Sequence, residues 1–280
     1  LVVKSPCPLI LAAPIALIAG MSRSSRNGVV IKSGTVIEKL DRMKAIAFDK
    51  TGTLTKGDLT VDDIMPENPY SQDELIDFVV SVEQQSSHVL AVSVMKYIGD
   101  KTIPLATDLK EIEGNGIEGK VDGKLVKVGK LSFVTTESLQ IKTEKTSLFV
   151  SVNDKYAGEI TFTDEVRPEA RQTIAQLIKM GIQKIMMISG DKQSISENIA
   201  KEIGITEVHG GCLPEDKLKI LKSMPDEFRP VVMVGDGVND APSLTVADVG
   251  IAMGAKGSSA ASDSADVVIL RDNLQKVSDT

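Results

Sequence analysis

Residues 44–55 read Lys44-Ala45-Ile46-Ala47-Phe48-Asp49-Lys50-Thr51-Gly52-Thr53-Leu54-Thr55. The run Ala45–Phe48 is short, apolar and bounded by polar residues, the pattern of a buried strand. A carboxylate follows at once, and a Thr-Gly-Thr turn follows that. A strand that ends this way presents one nucleophilic oxygen at the carboxyl edge of a sheet, the edge where open α/β sheets hold ligands. A carboxylate at such an edge can attack phosphorus and become an aspartyl-phosphate.

The rest of the chain builds a sheet around that strand. Lys184–Ile188 reads as a strand ending in Ser189-Gly190-Asp191, and Val231–Val234 as one ending in Gly235-Asp236-Gly237. Val249–Met253 and Val267–Leu270 are further strands. Between them lie helices over Val166–Met180, with Pro168 early and Gly181 past its end, then Ser194–Ile203 closed by Gly204, Pro214–Met224 and Ala241–Ala247. Strands alternating with helices imply a doubly wound parallel sheet. The region from Lys56 to about Thr161 breaks the alternation. Helical periodicity runs over Asp73–Lys96 with Ser71 as N-cap, and short strands follow. Val121-Asp122-Gly123-Lys124 and Val152-Asn153-Asp154-Lys155 read as hairpin turns. The expected architecture is therefore an α/β domain (44–56 and 162–280) interrupted by an inserted α+β domain (57–161).

Composition narrows the partners. The net charge is −7 with acids and bases interspersed, and no basic stripe marks a nucleic-acid surface. The two cysteines, Cys7 and Cys212, lie far apart and suggest no disulfide framework. Residues 5–20 carry no charge, and Arg23, Arg26 and Lys32 follow. This pattern fits the end of a membrane helix (1–22) and a helical connection on its cytoplasmic side (23–43). It is too short for a full span, and it lacks the basic start of a signal peptide. A buried helix of a soluble protein is the alternative, and the three prolines at positions 6, 8 and 14 oppose it.

In a parallel sheet the three strand ends at Asp49, Ser189 and Asp236 share one edge. Phosphoryl transfer needs a nucleophile, charge neutralisation and a metal. Asp49 supplies the first. Ser189 with backbone N–H groups can hold a phosphate, and Lys217 can neutralise its charge. Asp236 and Asp240 offer hard oxygen ligands suited to Mg²⁺.

The heptad Asp49–Thr55 matches the phosphorylation motif of P-type cation-pumping ATPases, and the four strand-end motifs resemble those of the haloacid-dehalogenase superfamily. The resemblance implies a haloacid-dehalogenase-like fold in which Asp49 is phosphorylated by ATP. It implies that Asp49, Asp236 and the Thr51 carbonyl hold Mg²⁺, with Ser189 in a position usually Thr, Gly190 and Asp191 beside it, and Asn239 and Asp240 completing the last loop. Glu83–Ala91 resembles the Ser-x-His-Pro-Leu-Ala motif of heavy-metal (type IB) pumps, with Val89 where Pro is usual. This implies an adenine contact for His88, assisted by Glu83, and close backbone approach at Gly114, Gly116 and Gly129. Ser5-Pro6-Cys7 resembles the Ser-Pro-Cys branch of these pumps, which implies Cys7 as a soft ligand for a divalent ion such as Co²⁺, Zn²⁺ or Cd²⁺, with Lys4 an unusual neighbour. A Cu⁺ pump of the same family stays open.

Many phosphatases of the superfamily carry a second carboxylate two residues after the nucleophile. Here that position is Thr51, which cannot act as an acid or base at neutral pH. A long-lived phosphoenzyme is expected, which suits a pump better than the alternative, a soluble phosphatase. A non-catalytic nucleotide-binding regulator is a third reading. No Thr-Gly-Glu occurs in the chain, so the actuator domain of the family, like its other membrane helices, is expected outside it. The resemblance places the parent protein in a membrane, with these domains in the cytoplasm.

Overall fold

The strand Ala45–Asp49 is buried at all five positions and lies near the middle of a parallel sheet. The computed structural model describes residues 7–84, 86, 88–99, 101, 103–136, 145–237, 240–254 and 263–279. They fall into two units, residues 1–57 with 166–280, and residues 58–165.

In the first unit the sheet runs Val29–Ile31, Val267–Ile269, Val249–Met253, Val231–Gly235, Ala45–Asp49, Lys184–Ile188, Glu207–His209. Val29–Ile31 pairs antiparallel and the others pair parallel. Side chains alternate across the sheet. Ile46, Phe48, Met187, Val232 and Val234 enter one core with the helices Ala170–Lys179 and Gln193–Ile203. Ala45, Ala47, Met186, Ile188 and Met233 enter the other with Pro214–Lys222 and Ala241–Val246. Both faces are covered, which is why these strands read as unbroken apolar runs. Phe48 is wholly buried, and its truncation to Ala should cost about 3–5 kcal/mol. Register sets the site: Asp49 pairs with Ile188, and Phe48 pairs with Val234. Asp49 is therefore level with Ile188 and Gly235, and Ser189 and Asp236 each stand one step past that level.

The N-terminal helix spans Cys7–Arg26 and continues through Pro14. Among the described residues no helix is long and apolar enough to cross a membrane. Residues 23–43 are not helical throughout, as the sequence suggested. Val29–Ile31 is an edge strand held by Val267–Ile269, and Gly34–Asp41 is a separate helix. A three-residue strand carries no periodicity of its own; the existing sheet edge supplies it.

The second unit carries a six-stranded sheet in the order Thr55–Pro66, Lys155–Val166, Thr146–Val152, Lys124–Gly129, Gly116–Val121, Thr107–Ile112. Both expected hairpin turns occur, with positive φ at Asp122, Gly123, Asn153 and Asp154, the backbone that two-residue turns demand. Lys155–Val166 continues as one strand past Phe162, where its pairing with Thr146–Val152 ends and Thr55–Pro66 remains its neighbour. The single periodic stretch Asp73–Lys96 is two helices, Gln72–Glu83 and Val89–Ile98. Ser71 and Glu74 form a reciprocal cap at the first, and the His88 ring caps the second. The short polar residues between them bond locally and compete with a continuous helix.

Candidate active site

Asp49 is 6 % exposed and is followed by a tight loop, Lys50–Leu54. The Thr55 hydroxyl donates to the Lys50 carbonyl at 2.9 Å and closes the loop. Gly52 has φ 73°, and a Cβ there would lie 3.4 Å from the Asp236 Cβ, so the turn packs directly onto Asp236. Thr51 is exposed at the tip. Lys217 comes from the first turn of Pro214–Lys222, a helix begun by Pro at N1. Its ammonium donates to Asp49 Oδ1 at 2.6 Å and to Asp240 Oδ1 at 2.8 Å.

This arrangement is over-supplied with negative charge. Burial pushes the Asp49 carboxyl up to about 6, Asp240 pushes the same way, and Lys217 only partly opposes them. Burial alone would lower Lys217, but the charges of Asp49 and Asp240 outweigh it and hold the ammonium above its ordinary range.

Ser189 is 2 % exposed, and its Oγ accepts the Asp191 N–H at 3.1 Å. Gly190 lies between them, and the Cys212 N–H donates to the Ser189 carbonyl. Asp191 pairs with Lys50 at 2.6 Å, and Lys50 is itself buried. Lys50 next to Asp49 was not singled out from sequence; its strongest signal is the Asp191 partner, 141 residues away, which only the fold brings near. Asn239 lies outside the described residues.

Asp49, Asp236 and the carbonyls of the loop are hard oxygen donors. Among the described residues no three His, Cys, Asp or Glu side chains cluster as a metal cage. Mg²⁺ does not ask for one, since it takes one or two carboxylates and completes its shell with water and phosphate. The surplus of carboxylate over ammonium around Asp49 fits a divalent cation.

The second unit holds a cavity of about 420 Å³. Glu83, His88, Gly114, Gly116 and Gly129, all predicted together, line it, with Lys130 and Asn115 alongside. Its size suits a small ligand. Glu83 is 5 % exposed, and burial raises its pKa against the pull of Ser86 and His88. His88 Nδ1 accepts the Leu90 N–H at 3.3 Å. Gly116 and Gly129 are paired across two strands; a Cβ on Gly129 would lie 2.3 Å from the Asn115 carbonyl oxygen and one on Gly116 2.2 Å from that of Val128. Gly114 instead serves a turn at φ 72° with open space around it. Cys7 begins the N-terminal helix of the first unit, and Ser5 and Pro6 lie outside the described residues.

A doubly wound sheet with an aspartate at the end of an inner strand, a lysine shared with a second carboxylate and a further carboxylate beside it is an arrangement suited to phosphoryl transfer. The family of haloacid dehalogenase-like hydrolases matches residues 43–248. A zinc-transporting ATPase of Bacillus subtilis is 38% identical over 289 residues, covering 99% of this chain and 45% of that protein. A cadmium, zinc and cobalt-transporting ATPase of the same organism is 35% identical, covering 100% and 41%. The crystal structure of a zinc-transporting PIB-type ATPase in an E2·Pi state superposes with a TM-score of 0.86 at 34% identity, over 97% of this chain and 46% of that one. The catalytic domain of the CPx-ATPase CopB-B superposes with a TM-score of 0.76 at 30% identity, over 92% and 97%. The chain belongs to the haloacid dehalogenase-like hydrolases and, within them, to the catalytic region of the PIB-type heavy-metal ATPases. It spans less than half the length of the full-length relatives it matches.

Proposed function

We propose that this chain is the catalytic core of an ATP-driven pump for a divalent transition-metal ion. ATP docks in the cavity of the second unit, with His88 against adenine, Glu83 accepting from its amino group, and the glycine pair letting the backbone come close. The Asp49 carboxylate attacks the γ-phosphorus; an Oδ–P bond forms, the bond from phosphorus to the β,γ-bridging oxygen breaks, and ADP leaves. Lys217, Lys50 and Ser189 hold and neutralise the phosphoryl oxygens. Asp49, Asp236 and the Thr51 carbonyl would hold Mg²⁺, which neutralises developing charge when bound.

With Thr51 in place of a second carboxylate, no side chain two residues on can deprotonate water, so the phosphoenzyme persists. That persistence gives a conformational cycle time to move an ion. Cys7 would serve the transported ion, and zinc and cadmium names among the relatives support a divalent cargo. The parent protein would lie in a membrane with these units in the cytoplasm. The observation that carries the reading is the buried Asp49 at a strand end, ion-paired to a lysine that also holds Asp240. Incubation of the parent protein with γ-labelled ATP and Mg²⁺, quenched in acid, should leave label on Asp49 and none in Asp49→Asn. Label that survives Asp49→Asn would sink the proposal.

A further inference from the structure

Arg167 is 6 % exposed, and the partners of its guanidinium, Thr55, Gly52 and Asp272, all belong to the first unit. Its Nε donates to the Thr55 carbonyl at 3.1 Å, and its Nη2 donates to the Gly52 carbonyl at 3.1 Å and to Asp272 Oδ1 at 2.6 Å. Its backbone N–H donates to the Leu54 carbonyl at 2.9 Å. One residue thus grips three carbonyls of the loop that follows the nucleophile. At the far end of the grip Asp272 stands beside Gly254, where a Cβ would lie 3.2 Å from its Oδ1, with its carboxylate partly open to solvent. The gripped loop is the one whose Gly52 packs on Asp236.

We propose that Arg167, braced by Asp272, is a positioning residue that fixes the spacing between the nucleophile loop and Asp236. The inference rests on the reading of Asp49 as nucleophile for its functional meaning, though not for the structural coupling. Carbonyls carry no charge that would pull the loop toward Asp236; the loop is held there by a donor fork that also pairs with Asp272. A planar guanidinium can serve two carbonyls and a carboxylate at once, whereas an ammonium offers no such fork. Loosening the fork lets Gly52 drift from Asp236, so the oxygen donors for a divalent cation spread apart. None of the cavity-lining residues of the second unit is a partner of Arg167, so nucleotide affinity should be indifferent.

The test is amide hydrogen exchange of the 280-residue chain without nucleotide or metal, on wild type, Arg167→Gln, Arg167→Lys and Asp272→Asn. Exchange across residues 50–56 should rise about ten- to a hundredfold in Arg167→Gln, the equivalent of one lost charged hydrogen bond, with the strands at 184–188 and 231–235 unchanged. Arg167→Lys should restore little, and Asp272→Asn should give a smaller rise in the same peptide. In parallel, the Mg²⁺ concentration for half-maximal beryllofluoride adduct at Asp49, read by ¹⁹F NMR, should rise about tenfold in Arg167→Gln, while calorimetric ATP affinity stays constant. Unchanged exchange at 50–56, a rise spread evenly over the sheet, or full restoration by lysine overturns the proposal. Should Arg167→Gln fail to fold, Asp272→Asn decides alone, and no local rise there is a refutation. Wild type that forms no adduct at Asp49 overturns the nucleophile reading instead, and the exchange data still decide the role of Arg167.

Discussion

The Lys217 ammonium lies 2.6 Å from Asp49 Oδ1 and 2.8 Å from Asp240 Oδ1, one cation shared by two buried carboxylates. Removing it leaves both anions without their partner. Lys217→Ala should destabilise the first unit by about 3–5 kcal/mol and abolish phosphoenzyme formation, as urea unfolding and acid-quench labelling would report. A loss under 1 kcal/mol would show that water reaches the carboxylates readily.

Asp49 should affect stability with a definite sign. Its carboxyl is pushed from 3.8 up to about 6 in the folded chain, so between those values the folded state binds more protons than the unfolded one. Its contribution is fully present below about pH 4 and is lost as pH rises through about 6, by up to about 3 kcal/mol. Asp49→Asn should be more stable than wild type at pH 7, and the gap should close toward pH 4. Urea midpoints of the two proteins, compared across that range, check this. On the proposed mechanism Asp49 attacks as its carboxylate, so labelling should also fall as pH drops below about 6.

Two of the pocket glycines should respond differently to alanine. Gly129→Ala drives a methyl into the Asn115 carbonyl, costs about 1–3 kcal/mol or more, and should raise the ATP Kd well over tenfold. Gly114→Ala meets open space and only the left-handed backbone penalty of about 1 kcal/mol. Equal effects in calorimetric titration would contradict the strand-pair reading.

Val89 stands at the first position of its helix, where proline is favoured because that N–H is outside the hydrogen-bond ladder. His88 before it has φ −65° and ψ 140°, the extended conformation that a following proline requires. Val89→Pro should therefore fold normally and gain about 0.4–1 kcal/mol, measured as a rise in Tm. A drop would mean that the loop before the helix differs in the folded ensemble.

Much of the candidate site was readable because its polar residues follow apolar runs. Ala45–Phe48, Lys184–Ile188 and Val231–Val234 each end in the residue that matters, and a parallel sheet must line such ends up. The sequence reading carried one helical period across the break between Glu83 and Val89, although residues 83–88 are all polar, and the His88 cap is what begins the second helix. Arg167 and the Lys50–Asp191 pair were missed for another reason. Their partners are separated by more than 100 residues, and no local pattern marks a side chain that will meet a distant carbonyl.

By itself the chain's order of residues determined which oxygen could be the nucleophile and that the sheet would be parallel, because strand periodicity and turn chemistry are local. Only the tertiary structure decided that one lysine serves two carboxylates, that two glycines touch across neighbouring strands, and that an arginine braces the loop. Those depend on register and on burial, which raise or lower each group's charge cost and are properties of the packed molecule alone.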